Sequence, residues 1–368
     1  APATPSRIEE MKQLLDIQLE QGSRGLSCGL EYAPGAYASR EELVELLKVV
    51  AKHNGLFAIH MRNEDDRVEE AVSEAIGMSF EAGVRLQISH LKAQNPNNWH
   101  KGPALLEIID KARRDGLDIA FDRYPYIAFS TGLTTFIPLD GRQGSTDDIV
   151  SRLKDNATAT EFGKYAESRF ARLGGAQNVV ISSCSLQENK DAYMGKNLEE
   201  CARIAGKSEW EFVRDFLIEE RLSPDIVAFA MSEDNVRMFL SHPLAMPASD
   251  GSVYSPAGPL SLTIPHPRSY GTFPRFLGKY CRDGKLMDLS QAIKKVSSLP
   301  ASRLGLKDRG LLVPGYWADI VVFNQAAIID KATFEDPHRF PEGIHHIWVN
   351  GEHTLKNGKH TGALSGMV

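Results

Sequence analysis

The chain has 368 residues, 42% hydrophobic and 24% charged, a make-up that belongs to folded globular proteins and excludes a disordered chain. A net charge of −6 without an offsetting basic block excludes a general nucleic-acid binder, and no apolar run approaches the roughly 18 residues of a membrane span. Four scattered cysteines (Cys28, Cys184, Cys201, Cys281) with no CxxC pair, and an N-terminus APATPSRIEEM without the layout of a secretory signal, point to free thiols and a cytoplasmic protein.

In chain order, Ser6 and Glu9 have the spacing of a capping box and open a helix that runs to about Gln21. GLSCGL (25–30) reads as a short buried strand. Ser39 and Glu42 form a second capping-box pair, ahead of the helix ELVELLKVVAKHNG with its glycine stop at Gly55. LFAIH (56–60) is a strand, and an amphipathic helix follows from about Arg67 to Gly83. VRLQISH (84–90) is the next strand, GPALLEIIDKARRDG (102–116) the next helix, and LDIAFDRYPY (117–126) a strand again. Strand–helix alternation with a period of roughly 30 residues predicts βαβ units and a parallel sheet. From about 129 to 240 the alternation stops. Two helical stretches, 151–175 and 197–222, flank the short strand VVISSC (179–184), which predicts an insertion over the upper face of the sheet or a long βα excursion. HPLAMPASDGS (242–252) then brings another apolar run, ending in Asp250.

In parallel βαβ units all strands point one way, so their ends gather on one face, where α/β folds place their sites. His60 and His90 end consecutive strands, and DRYPY ends the third. Two imidazoles brought to one edge can share a metal ion, each giving a neutral ring nitrogen. A lone strand-end histidine is more often a hydrogen-bonded residue than a ligand; two in register on consecutive units are harder to obtain by accident. Asp250 suits a metal ligand or general base and equally a turn, because Asp-Gly is a common turn dipeptide.

The segment KKVSSLPASRLGLKDRGLLVPGYWADIVVFN (294–324), with GIHHIWVNGEHTLKNGKHTG (343–362) after it, closely resembles the C-terminal end of amidohydrolase-superfamily enzymes. GLSCGLEYAPG, HMRNEDD, QISHLK, DRYPY, PASDG and HPRSYGTFPRFLG resemble one branch of them, the N-acyl-D-amino-acid deacylase (D-aminoacylase) family, over about Ala3 to Gly366. The resemblance implies an α/β fold: a (β/α)8 TIM-like barrel over 1–309, with the helical insertion at about 129–240, and part of a small β-sandwich over 310–368. It implies zinc-dependent hydrolysis of the amide bond of N-acyl-D-amino acids, releasing a D-amino acid and a carboxylic acid. His60 and His90 would be zinc ligands of one tight site. Asp250 would be general base and could contact a second, weaker metal. Lys92, Arg268 and either Tyr124 or Tyr126 would hold the substrate carboxylate, a group that a fork-shaped guanidinium suits well.

The sequence departs from that family in two places. No His-x-His occurs anywhere in it, although the family's first barrel strand carries one, and GLSCGL matches barrel strand four. The expectation is therefore that only the C-terminal strands of the barrel are present, with an N-terminal portion or a companion chain completing it. Cys28 stands where the family has Ser or Thr; a ligand role is possible for it, and a small buried thiol is the commoner state. Two other functions stay open. One is a cyclic-amide hydrolase of the dihydroorotase or hydantoinase kind, weakened because strand four lacks a lysine. The other is a catalytically inactive scaffold of the same fold.

Overall fold

Residues 3–367 are described by the computed structural model. Helix α1 (Pro5–Glu20) is capped by Thr4, whose hydroxyl accepts from the Arg7 N–H. Ser6 and Glu9 thus lie inside the helix instead of capping it, because Pro5 already fixes a helical φ at the first position. Strand β1 (Gly25–Gly29), α2 (Arg40–Lys52), β2 (Leu56–His60), α3 (Val68–Ala82), β3 (Arg85–Ile88), α4 (Gly102–Arg114) and β4 (Ile119–Arg123) then alternate as expected. Ser39 caps α2 by accepting from Glu42 N–H, and Gly83 closes α3 at φ 68°, a left-handed position that glycine takes without steric cost.

The region expected to be helical around one strand holds three strands. It runs β5 (Ala128–Gly132), α5 (Thr146–Lys154), α6 (Asn156–Arg172), β6 (Val179–Ser183), α7 (Gln187–Tyr193), α8 (Leu198–Ala205), α9 (Glu209–Glu219) and β7 (Asp225–Phe229). The strands form an antiparallel sheet in the order β5-β7-β6. AFSTG and DIVAF are too short to announce themselves; each becomes a strand only because β7 lies between the other two. The long helical stretches break at Asp155, which caps α6, and at Gly206, which ends α8 in the left-handed region.

After α10 (Glu233–Ser241) comes β8 (Ala245–Pro247), which returns to the first sheet. Its order is β1-β2-β3-β4-β8, every pairing parallel, with β1 and β8 as the edges among the described residues. Leu47, Phe57, Ile59, Val72, Leu86, Ile88, Leu105 and Phe121 are buried to 1% or less between that sheet and α1–α4, so both halves of the alternating pattern serve one core. Gly25 is needed at the start of β1, where a Cβ would fall 1.9 Å from the Leu56 carbonyl oxygen.

The chain finishes with α11 (Arg268–Arg275), α12 (Leu289–Val296), α13 (Ser298–Arg303) and strands β9 (Ile320–Phe323), β10 (Ile344–Val349), β11 (Glu352–Lys356) and β12 (Lys359–His360). These four strands make one antiparallel sheet, β12-β11-β10-β9, in the region expected to be part of a small β-sandwich. Among the described residues no helix is long and apolar enough to cross a membrane.

Candidate metal centre

Register brings the strand ends together. Gly29 pairs with His60, Ile59 with Ile88 and Arg123 with Pro247, so His60, His90 and the segment after β8 all emerge at one edge of the sheet. There they line a cavity of about 160 Å³, shared by Lys92, Tyr124, Asp250 and Arg268. His90 (φ 38°) and Asp250 (φ 49°) are both held in the left-handed region, a conformation costing roughly 1–3 kcal/mol and found where surrounding structure fixes a residue for use. For His90 that fixing is visible: its backbone N–H donates to Asp122 Oδ1 at 2.7 Å.

The two imidazoles face each other, His60 Nδ1 lying 2.9 Å from His90 Nε2. Their far nitrogens point to carboxylates: His60 Nε2 lies 3.1 Å from Glu31 Oε2, and His90 Nδ1 lies 3.0 Å from Glu64 Oε1. His60 Nε2 donates to Glu31, which leaves a lone pair on its Nδ1, whereas His90 Nδ1 accepts from the Lys92 ammonium at 2.8 Å, which puts the proton of a neutral His90 ring on Nε2. That proton bridges His90 Nε2 and His60 Nδ1 at 2.9 Å, the position a cation would take on displacing it. Burial opposes a charge on His60, yet Glu64 and Glu31 outweigh it and raise its pKa. The same arrangement suits a metal. Two nitrogens on one tetrahedral zinc stand roughly 3.3 Å apart, and histidine ligands are oriented by carboxylates on their other nitrogen. His60, Glu64 and His90 offer ligand atoms within 4.8 Å of one another, so the donor set fits zinc.

Neither Glu64 nor Glu31 was singled out in the sequence. HMRNEDD places Glu64 four residues after His60 in what reads as a charged loop, yet it is 2% exposed. It accepts from Lys92 Nζ at 2.6 Å and Gln94 Nε2 at 2.7 Å. Burial works against its ionised form, but Lys92, His60 and His90 prevail and hold its pKa well below the usual range. Lys92, expected to hold substrate, is thus also the counter-ion of Glu64 and touches His90 Nδ1 at 2.8 Å.

Asp250 lines the cavity but stands apart from the histidine–glutamate cluster. It pairs with Arg268, Nη1 to Oδ2 2.8 Å, in a contact that lacks the angle of a hydrogen bond. Tyr124 lines the cavity with Arg268 over its ring at 4.8 Å and Arg123 at 4.4 Å. Tyr126 does not line it: its hydroxyl donates to the Pro267 carbonyl at 3.4 Å, and its ring packs on His266. Of the two tyrosines left open by the sequence, Tyr124 is the one that lines the cavity. Cys28 also lies outside the cavity lining; it packs half-buried against the first core, and burial pushes its thiol up to about 12, which disfavours a thiolate ligand.

Comparison with known proteins shows which family the chain resembles. A family model described as "Amidohydrolase family" matches residues 2–355. The N-acyl-D-glutamate deacylase of Alcaligenes xylosoxydans xylosoxydans is 35% identical over 352 residues, 95% of this chain and 62% of the relative. The D-aminoacylase of the same organism is 32% identical over 366 residues, 100% of this chain and 65% of the relative. The chain therefore spans a little under two thirds of these relatives' lengths. Among solved structures, the N-acyl-D-glutamate deacylase from Bordetella Bronchiseptica, complexed with zinc and a phosphonate that mimics the tetrahedral intermediate, superposes with a TM-score of 0.78. It is 32% identical, the match covering 100% of this chain and 68% of that one.

Proposed function

This chain belongs to the amidohydrolase family, and from that premise we propose that it carries the metal and substrate site of a zinc-dependent N-acyl-D-amino-acid deacylase. The observation that carries the reading is the pair of imidazoles facing each other at 2.9 Å, each backed by a carboxylate. In this reading β1–β4 and β8 are five consecutive strands of a (β/α)8 barrel. The relatives named as deacylases favour a linear amide over a cyclic one, as does the absence of lysine from β1.

His60 and His90 would hold the zinc, with Glu31 and Glu64 fixing their rings. When bound there, zinc supplies Lewis acidity that polarises the amide carbonyl and makes water a nucleophile near neutral pH. Arg268 and Tyr124 receive the substrate's α-carboxylate. Because Arg268 meets Asp250 without hydrogen-bond geometry, an arriving carboxylate can take the guanidinium fork and release Asp250. Asp250, half-exposed at the cavity, then takes the proton from water and passes it to the departing amine. The base is thus freed by the substrate it serves.

The test is metal analysis together with hydrolysis of N-acetyl-D-methionine. The protein is expected to retain about one equivalent of zinc after dialysis, as one tight site requires, and to hydrolyse the substrate. His60→Ala should lose both while its circular dichroism is kept. Undiminished zinc and turnover in that variant would overturn the assignment.

A further inference from the structure

One segment that stands out in the sequence, PASRLGL, has no part in the reaction proposed above. Its Arg303, on α13, is 7% exposed and lies at the end of the sheet opposite the cavity, beside the first residues of β3 and β4. Nη1 donates to Asp118 Oδ1 at 2.7 Å, and Nη2 donates to the carbonyls of Asp118, at 3.0 Å, and of Leu86. Nε donates at 3.3 Å to Gln87 Oε1, and from there a line of bonds runs up to the metal centre. Gln87 Nε2 donates to Asp122 Oδ2 at 2.7 Å, and Asp122 Oδ1 accepts the backbone N–H of His90 at 2.7 Å.

The direction of every bond in this line is fixed by its two ends. A guanidinium and a backbone N–H can only donate. Gln87 must therefore turn its oxygen to Arg303 and its NH2 to Asp122, and residue 122 must accept at two separate atoms. A carboxylate does this and its amide isostere does not. The last bond of the line falls on a residue at φ 38°, a conformation disfavoured for any residue with a side chain, and the backbone there sets where the imidazole points.

We infer that Asp122 is a positioning residue of the metal centre, kept in its acceptor role by Gln87 and Arg303, so that α13 fixes the aim of His90 from the far end of the sheet. This rests on the reading of His60 and His90 as zinc ligands and extends it to three residues that touch the site only through one another. Asp122 acts through the His90 backbone and not as a ligand.

The order of donors and acceptors can be tested by reversing it. Asp122→Asn keeps the shape but sets donor against donor at one point of the line, whichever way Gln87 turns. Its zinc affinity in a chelator competition should fall about tenfold or more. In the double variant Asp122→Asn, Gln87→Glu, the new carboxylate accepts from both Arg303 and the Asn amide, whose oxygen takes the His90 N–H. Zinc affinity should return most of the way to wild type. The visible absorption of the cobalt-substituted protein should shift in the single variant and return in the double one. Titrations well below the melting temperature of each variant keep lost stability out of the result. Wild-type affinity in Asp122→Asn, or a double variant that binds zinc no more tightly than the single one, overturns the inference while the deacylase reading stands. A wild-type protein that binds no zinc overturns both.

Discussion

Two pairs of imidazoles meet in this chain at almost the same distance, and they differ in what stands behind them. His60 and His90 approach to 2.9 Å at the edge of the parallel sheet, and His346 and His353 to 3.1 Å across β10 and β11. The first pair is backed by Glu31 and Glu64 and buttressed by buried Lys92. Among the described residues the second pair has no such carboxylate; His353 instead stacks on Trp348, ring centroids 4.4 Å apart and planes 10° apart. Nitrogen-to-nitrogen distance alone therefore says little about metal binding. A carboxylate close behind the rings favours a cation between them.

The largest expected effect that separates the pairs comes from the carboxylates. Glu64→Gln should weaken zinc binding by about 10–100-fold, the usual loss when the group orienting a ligand is removed, while His353→Gln leaves zinc binding as it was. Equal effects in a competition titration with a zinc chelator would erase the distinction.

A third imidazole sharpens the comparison through pH. His266 is buried beside Tyr126; its Nε2 donates to the Ala128 carbonyl at 2.9 Å, and its Nδ1 accepts from the Arg268 N–H at 3.0 Å. Accepting at Nδ1 requires the neutral ring, whereas the bond to Ala128 does not. Burial and the neighbouring Arg268 push its pKa well below the ordinary 6.5. Unfolded, the same ring takes up a proton near pH 6.5, so below that value the unfolded state binds more protons than the folded one. Stability contributed above pH 6.5 is thus lost as pH falls, by up to about 1.4 kcal/mol per pH unit for one proton. Urea melts of His266→Asn between pH 5 and 7.5 should show a slope reduced by one proton relative to wild type.

The smallest effect belongs to the tail pair. A double-mutant cycle on Trp348→Leu and His353→Ala should return a coupling of about 0.5–1.5 kcal/mol, the usual worth of a stacked aromatic pair, with zinc content unchanged.

The strand–helix order of the first 126 residues is legible because it is local. LFAIH and LQI are runs long enough to be strands, Ser39 and Gly83 mark helix ends, and in parallel strands the direction of one fixes the direction of all. That is why two histidines 30 residues apart could be assigned to one edge. β5 and β7 were missed for the converse reason: neither carries a pattern of its own, and each is a strand by virtue of its neighbour.

The sequence by itself determined the parallel sheet and the edge at which His60 and His90 meet; Lys92 and Arg268 come from resemblance to a family, and Asp250 by itself stays between a site and a turn. Tertiary structure alone decided their partners. It buried Glu64 and gave it Lys92, set Asp250 against Arg268, and turned Tyr124 inward and Tyr126 away. The physical reason is that backbone direction follows from short-range pattern, whereas the meaning of a charge depends on burial and on the nearest opposite charge, and residues far apart in the chain supply both.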